Sequence, residues 1–173
     1  MPYRHSRRNL RLRGWDYSSP GAYFITVCAK DRLDVFGEIV GGEMRQSEIG
    51  EIVANTWRWL PSQYPHVILD EWCVMPDHLH GILVLTDREE FPDDGSTVGD
   101  HTEPDGDRDT ARRSRKAVGR LIGAFKTVST KHVNRLRSTP RGMLWQRNFW
   151  ERVIRDGAAL DRIRRYIREN PAT

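Results

Sequence analysis

Two histidines separated by one residue are the clearest chemical signal in the chain. His78 and His80 flank Leu79 at the start of a strand-like run, 78–85. Side chains two apart on a β-strand point to the same face, so the two imidazoles are predicted to project together. Such a pair can hold one divalent metal ion, with further ligands supplied from elsewhere. The same pattern also fits two ordinary surface histidines, because His-x-His is a weak motif by itself.

The neighbouring residues favour a metal site. Pro76 and Asp77 predict a turn that places the pair at the beginning of a strand, where a site can open. Asp77 can also accept a hydrogen bond from an imidazole and orient it. Two other histidine-based sites are excluded. A histidine-triad nucleotide hydrolase needs a third His where this chain has Ile82, and no pair of His four apart with Glu between them, as in zinc metalloproteases, is present.

A second candidate group lies near the C-terminus. Tyr166 and Asn170 are four residues apart in a helical segment, 158–170, and therefore share a face. The phenol can act as a nucleophile, and the amide oxygen suits a hard metal ion. Four arginines around the tyrosine would stabilise a phosphate and favour the phenolate: Arg162, Arg164, Arg165 and Arg168. The alternative is a tyrosine packed on an amphipathic helix that ends at Asn170, before Pro171.

Hydrophobic patterning indicates the elements that position these groups. We predict strands at 22–29, 67–74, 78–85 and 150–154, and a short strand at 35–40. Ser47 is predicted to cap a helix that stops at Pro61, an apolar stripe marks a long helix from Val118 to Leu136, and 158–170 forms the last helix. This order predicts an α+β ferredoxin-like sandwich: an antiparallel sheet with helices on one face and a C-terminal helix carrying the tyrosine.

Charge is distributed unevenly along the 173 residues. From Asp87 to Asp109 there are ten acidic and two basic residues, which leaves 26 basic against 14 acidic residues elsewhere. We predict a flexible acidic insert at 87–115 within a single domain, 1–173. The basic remainder is typical of a protein that binds a polyanion. Two cysteines exclude a disulfide scaffold or a four-cysteine zinc site, and no apolar run approaches membrane-spanning length, so we expect an intracellular protein.

With these residues in view, the chain resembles the REP-associated tyrosine transposases, a branch of the single-tyrosine HUH transposase superfamily. Five blocks in the same order carry the resemblance and together make it specific. They are Gly21–Val27, Val74–Ile82, Gly123–Lys126, Trp145–Glu151 with Ile154 and Arg155, and Tyr166–Ile167 with Asn170 and Pro171. The fold of that family is the ferredoxin-like sandwich that the element order predicts.

The resemblance implies a role for each candidate residue. His78 and His80 would be the metal pair, Tyr166 the nucleophile and Asn170 the third ligand, with Glu169 and Glu151 as alternative ligands. The metal would be Mg²⁺ or Mn²⁺. The enzyme would be a single-stranded DNA endonuclease and strand transferase that acts beside hairpin repeats, leaving a 5′-phosphotyrosine and a free 3′-OH. Asp77 departs from the family pattern, in which Asn is common.

The same resemblance suggests how DNA would be held. Candidate contacts are basic residues of the N-terminal segment and one lysine of the long helix: Arg4, Arg7, Arg8, Arg11, Arg13 and Lys126. Tyr17 and Trp15 are weaker candidates for stacking on unpaired bases. Two further hypotheses are a domesticated hairpin DNA- or RNA-binding protein with an idle catalytic site, and a replication-type nickase. We expect a bacterial, cytoplasmic, nucleoid-associated protein without membrane contact, either monomeric or homodimeric.

Overall fold

Four antiparallel strands make the main sheet of the protein, whose computed structural model describes residues 14–87 and 117–170. These strands are β1 (Gly21–Cys28), β4 (Val67–Met75), β5 (His78–Leu85) and β6 (Trp150–Ile154), in the spatial order β4-β5-β1-β6. A separate hairpin contains β2 (Gly37–Val40) and β3 (Glu43–Gln46). The helices are α1 (Glu48–Gln63), α2 (Val118–Leu136) and α3 (Gly157–Glu169). This arrangement confirms the predicted α+β architecture.

The sheet is covered on both faces, and the alternation of its side chains decides what each face contains. Tyr23, Ile25 and Val27 of β1 are fully buried in one hydrophobic core together with residues of α1 and α2. Phe24, between them, points to the other face and packs with Ile82 and with Ile167 of α3. Helices α1 and α2 therefore share one face of the sheet, and α3 lies alone on the other.

Close packing beneath β5 requires a glycine at position 81. A Cβ atom built on Gly81 would lie 2.7 Å from Cζ2 of Trp57, a fully buried ring of α1. We expect Gly81→Ala to lower the free energy of unfolding by about 1–3 kcal/mol, the usual cost of overpacking a core. Gly123→Ala is the control, because a Cβ there meets open space on α2 and should stabilise the helix by about 0.5–1 kcal/mol. Urea unfolding measures both changes, and equal effects would contradict this packing.

Two features of the fold differ from the sequence prediction: the end of α1 and the presence of β3. Ser47 caps α1 as predicted, accepting from the Gly50 amide at 3.2 Å, but the helix continues past Pro61 to Gln63. A proline removes one helical hydrogen bond, and the buried residues Trp57 and Leu60 hold the last turn in place despite that loss. Strand β3 was not predicted, because its sequence lacks apolar alternation; the turn at Gly41–Gly42 brings it back against β2.

The predicted acidic insert, 87–115, lies outside the described residues except for Asp87. In the described ranges no helix is long and apolar enough to cross a membrane.

Candidate active site

The two histidines lie together on the α3 face of the sheet, at the start of β5. His78 pairs with Cys28 and His80 with Thr26 across the β1–β5 ladder, so both imidazoles share the face occupied by Phe24. Their Nε2 atoms are 2.9 Å apart. Two nitrogens bound at right angles to one ion at about 2.1 Å lie about 3.0 Å apart, so the observed separation suits a shared ligand.

Hydrogen bonds at the far side of each ring orient the pair. Nδ1 of His78 is hydrogen-bonded to the Asp77 carboxylate, and Nδ1 of His80 lies 2.8 Å from the Thr26 hydroxyl. A carboxylate accepts, so Nδ1 of His78 carries the proton, and we assign the same tautomer to His80 with the hydroxyl accepting. Both Nε2 atoms are then unprotonated, as the ligands of a metal ion must be.

Local electrostatics keep these groups in the charge states that metal binding needs. Burial, followed by the charges of His78 and Arg32, lowers the pKa of His80 to about 3, so its imidazole is neutral at physiological pH. Burial by itself would raise the pKa of Asp77, but the hydrogen bond with His78 and the charge of Arg32, 3.1 Å away, lower it below its ordinary value. Asp77 is therefore a carboxylate.

Tyr166 of α3 lies directly over the histidine pair. Its hydroxyl oxygen is 3.3 Å from Nε2 of His80, and the side chain is 49% exposed, so the phenol is open to solvent on one side. The Phe24 ring contacts both groups. It stacks on His80 with 5.4 Å between the ring centres, and it meets Tyr166 edge-on with 6.2 Å between the ring centres. The sequence predicts one site for the tyrosine and the histidines by resemblance only, and it does not identify Thr26 or Phe24 as part of that site. Their alternation along β1 was visible, but the register that aligns them with His80 was not.

The predicted third ligand, Asn170, ends α3 near the same site. Its side chain lies beside the thiol of Cys73, which pairs with His80 across the β4–β5 ladder. Burial raises the pKa of that thiol to about 11, so it is a neutral thiol at physiological pH. The structure thus brings Asn170 to the strand position beside His80, and its role as a ligand stays a prediction.

The two alternative ligands are placed differently. Glu151 pairs with Ile25, whose side chain belongs to the core on the α1–α2 face, so the sheet separates this carboxylate from the imidazoles. The register therefore excludes Glu151. Glu169 lies exposed in the last turn of α3. Among the described residues no group of three or more His, Cys, Asp or Glu could hold a metal, so a third ligand drawn from these residues would be of another type, such as Asn170.

Helix α3 is tied to β4 by two ion pairs that originate in a β-bulge. The register shifts by one residue between Leu69 and Trp72, which breaks the alternation of the strand and allows both Asp70 and Glu71 to meet the same helix. Arg164 contacts Asp70 at 2.9 and 2.6 Å, and Arg168 contacts Glu71 at 3.0 Å. Two of the four arginines predicted to stabilise a phosphate are thus engaged in docking α3, and neither Arg162 nor Arg165 forms an ion pair with a described residue.

This docking predicts a pH-dependent loss of stability in one variant. The Arg164 hydrogen bond lowers the pKa of Asp70 below 3.8, so the pair contributes fully above the unfolded-state pKa of about 3.9 and loses its contribution as the pH falls through the folded-state pKa. We expect Asp70→Asn to melt at a lower temperature than the wild type at pH 7. The difference between the two melting temperatures should disappear below about pH 4. Thermal melts at stepped pH measure this gap. Asp34→Asn, at an exposed carboxylate, is the control, and a gap independent of pH would contradict the assignment.

Lys126 is partly buried beside the segment that precedes β6. Its ammonium donates to the carbonyls of Gln146 and Asn148, at 2.8 and 3.0 Å, and lies 5.7 Å from the centre of the Phe149 ring. Burial lowers its pKa to about 8. These contacts hold the 146–149 segment against α2, and DNA contact by Lys126 stays a prediction. The other predicted DNA contacts, Arg4, Arg7, Arg8, Arg11 and Arg13, lie outside the described residues.

Comparisons with known proteins agree with this arrangement. No family model matches the chain. An uncharacterized protein of Haemophilus influenzae is 32% identical over 170 residues, which cover 96% of this chain and 89% of that protein. A second Haemophilus influenzae protein, assigned to the REP-associated tyrosine transposases, is 26% identical over 165 residues, covering 90% of this chain and 73% of that protein.

Two solved structures share the fold. A REP-associated tyrosine transposase bound to a REP hairpin matches with a TM-score of 0.59 at 18% identity, covering 94% of this chain and 73% of that one. A Deinococcus radiodurans protein assigned as a transposase matches with a TM-score of 0.51 at 15% identity, covering 94% and 98%. The class defined by fold and site is thus a transposase-like α+β protein with a helix-borne tyrosine over paired histidines. These relatives confirm the resemblance of the chain to the REP-associated tyrosine transposases.

Proposed function

We propose that this protein is a metal-dependent endonuclease and strand transferase that acts on single-stranded DNA beside hairpin repeats. The observation that carries the proposal is the approach of the Tyr166 hydroxyl to within 3.3 Å of His80 Nε2, which itself converges with His78 Nε2 at 2.9 Å. An enzyme that cleaves a DNA strand with a tyrosine needs the tyrosine hydroxyl to be exposed and to lie next to a group that binds the scissile phosphate. This pairing supplies both on one face of the sheet.

The reaction divides into two reversible transfers. The Tyr166 phenol oxygen would attack phosphorus, forming a P–O bond to tyrosine while the bond from phosphorus to the 3′ oxygen breaks. The phenol gives up one proton and the leaving 3′ oxygen takes one up, so the overall proton count is unchanged. A 3′-OH from another strand end can then attack the phosphotyrosine and release Tyr166. Because the bond energy is kept in the covalent intermediate, no nucleotide cofactor is needed.

The residues present fit a divalent cation. His78 and His80 offer converging nitrogens whose opposite ring positions are already engaged, and Asn170 would add an oxygen ligand. We propose Mg²⁺ or Mn²⁺, which when bound would polarise the scissile phosphate and position it for in-line attack. The Phe24 ring holds both His80 and Tyr166, so it would keep the nucleophile aligned with the phosphate site.

The DNA partner follows from relatedness and charge. A structural neighbour is bound to a REP hairpin, and we propose that this chain also takes hairpin DNA with an unpaired flank. The 26 basic residues outside the acidic stretch, against 14 acidic ones, favour a polyanionic ligand. A protein with this activity would work on chromosomal DNA and associate with the nucleoid.

The test uses single strands from the DNA flanking the gene, each carrying its hairpin, incubated with protein and Mn²⁺. A protein–DNA adduct that survives a denaturing gel is the result expected of the enzyme. A tight shift on a native gel without an adduct would instead favour the hairpin-binding protein with an idle site. An adduct that forms equally well in EDTA would contradict the metal requirement.

The Asp77 carboxylate is predicted to set the metal requirement of this reaction. It orients the His78 imidazole through the hydrogen bond at Nδ1, and loss of such a partner typically costs about 10–100-fold in metal affinity. We expect Asp77→Ala to raise the Mn²⁺ concentration for half-maximal adduct formation by that factor. Asp77→Asn is the matched control, because an amide oxygen can still accept the hydrogen bond. An unchanged metal requirement in Asp77→Ala would show that the carboxylate does not orient the ligand.

A further inference from the structure

A cavity of about 330 Å³ opens between the end of β6 and the first turns of α3. Its volume lies at the lower end of the range of roughly 300–1,000 Å³ that ligand sites occupy. Three arginines line it, Arg152 and Arg155 from the strand end and Arg162 from the helix. Tyr17 also contributes to the lining, so that an aromatic residue borders the basic group.

The three guanidinium groups carry an excess of positive charge. All three residues are exposed, and none forms an ion pair with a described residue, unlike Arg164 and Arg168 on the other side of α3. Asp156 is the acidic residue of the lining, and its carboxylate caps the helix by accepting from the Ala159 amide at 2.7 Å. Arginine forks match the geometry of phosphate oxygens, so a phosphate is the ligand that this lining suits best.

The cavity lies at the edge strand β6, and its Arg152 side borders the sheet face that carries the proposed active site. Arg152 pairs with Phe24 across the β1–β6 ladder, and Phe24 in turn contacts Tyr166. Arg162 precedes Tyr166 by four residues, which places it one helical turn, about 6 Å along the axis, from the nucleophile. A DNA strand with one phosphate at Tyr166 can therefore place a neighbouring nucleotide against the arginines.

We propose that this cavity binds an unpaired nucleotide next to the scissile phosphate of single-stranded DNA. Arg152 and Arg155 would hold phosphate oxygens, and Tyr17 would lie beside the base. The inference rests on the proposed function and deepens it, because it assigns the single-stranded flank of the substrate to named residues. It also distinguishes Arg164 and Arg168, which dock the helix, from Arg162, which would face DNA.

The test measures binding and its salt dependence, in a Tyr166→Phe background that prevents cleavage. The probe is a fluorescein-labelled oligothymidylate of eight nucleotides, titrated by anisotropy at several KCl concentrations. Each phosphate contact on a single strand contributes about 0.7 to the slope of log K against log salt. We expect Arg152→Gln with Arg155→Gln to weaken binding at least about tenfold at low salt and to reduce the slope by about 1.4, or 0.7 for each arginine.

The control removes two exposed charges elsewhere, Arg45→Gln with Arg141→Gln, and should leave the slope unchanged. Equal losses in both double variants, or an unchanged slope in the cavity variant, would overturn the cavity assignment while leaving the proposed function intact. Failure of the Tyr166→Phe parent to bind any single strand would overturn both. If circular dichroism shows that the cavity double variant is unfolded, Arg155→Gln alone replaces it. The slope should then fall by about 0.7, and an unchanged slope would contradict the proposal.

Discussion

Replacing Tyr166 with phenylalanine is expected to abolish the covalent protein–DNA adduct while leaving DNA binding within about twofold of wild type. The substitution removes a single oxygen, the proposed nucleophile, which lies 3.3 Å from His80 Nε2. The remaining ring keeps its edge contact with Phe24. Loss of a catalytic nucleophile commonly reduces turnover by 10³-fold or more, so adduct formation should fall below the detection limit of a gel assay.

The measurement pairs a denaturing gel for the adduct with a native gel for binding, on the same hairpin substrate. Tyr64→Phe is the matched control, because it removes one phenol oxygen from the end of α1, on the opposite face of the sheet. It should form the adduct at the wild-type rate. Cleavage by Tyr166→Phe at a rate comparable with wild type would show that another group attacks the phosphate.

Replacing His78 with alanine is expected to slow cleavage at least about 100-fold, and excess Mn²⁺ should restore part of the rate. Loss of one preorganised group that stabilises developing charge costs about 10²–10³ in rate. His78 contacts the Asp77 carboxylate and the other imidazole, so its loss should mainly weaken metal affinity, which a higher metal concentration offsets.

His80→Ala should behave differently. His80 is 7% exposed and contacts Thr26, Phe24 and Tyr166 in addition to His78, so its removal also disturbs the position of the nucleophile. We expect its rate to stay low at any Mn²⁺ concentration. His132→Ala, at an exposed position on α2, is the control for histidine removal in general. Identical metal titrations for His78→Ala and wild type would contradict the assignment of His78 as a ligand.

Much of the fold could be predicted because its signals are local. The apolar stripe from Val118 to Leu136 repeats every three to four residues and requires only that one helix face be buried, and α2 has those bounds. Ser47 caps α1 because a hydroxyl one residue before the helix reaches an amide three residues on. Pro61 predicted the end of α1 too early. The loss of one helical hydrogen bond at a proline is visible in the sequence, but the burial of Trp57 and Leu60 that outweighs this loss depends on tertiary packing.

The candidate site shows the same division. His78 and His80 share a face by strand geometry, and Tyr166 and Asn170 share one by helix geometry, so each pair could be predicted from spacing. Spacing along one element says nothing about which strands are neighbours. The β1–β5 register brings Thr26 to His80, the β1–β6 register turns Glu151 away from the imidazoles, and neither follows from the order of residues.

The sequence by itself determined the chemical groups, their pairing on single elements and the order of those elements, because each depends on residues no more than a few positions apart. Only the tertiary structure decided which arginines serve which purpose. A one-residue bulge in β4 lets Asp70 and Glu71 engage Arg164 and Arg168, and leaves Arg162 beside the cavity at β6. Asp70 and Arg164 are 94 residues apart, so their ion pair can form only when the sheet and helix pack together. That packing is driven by the burial of apolar side chains rather than by charge.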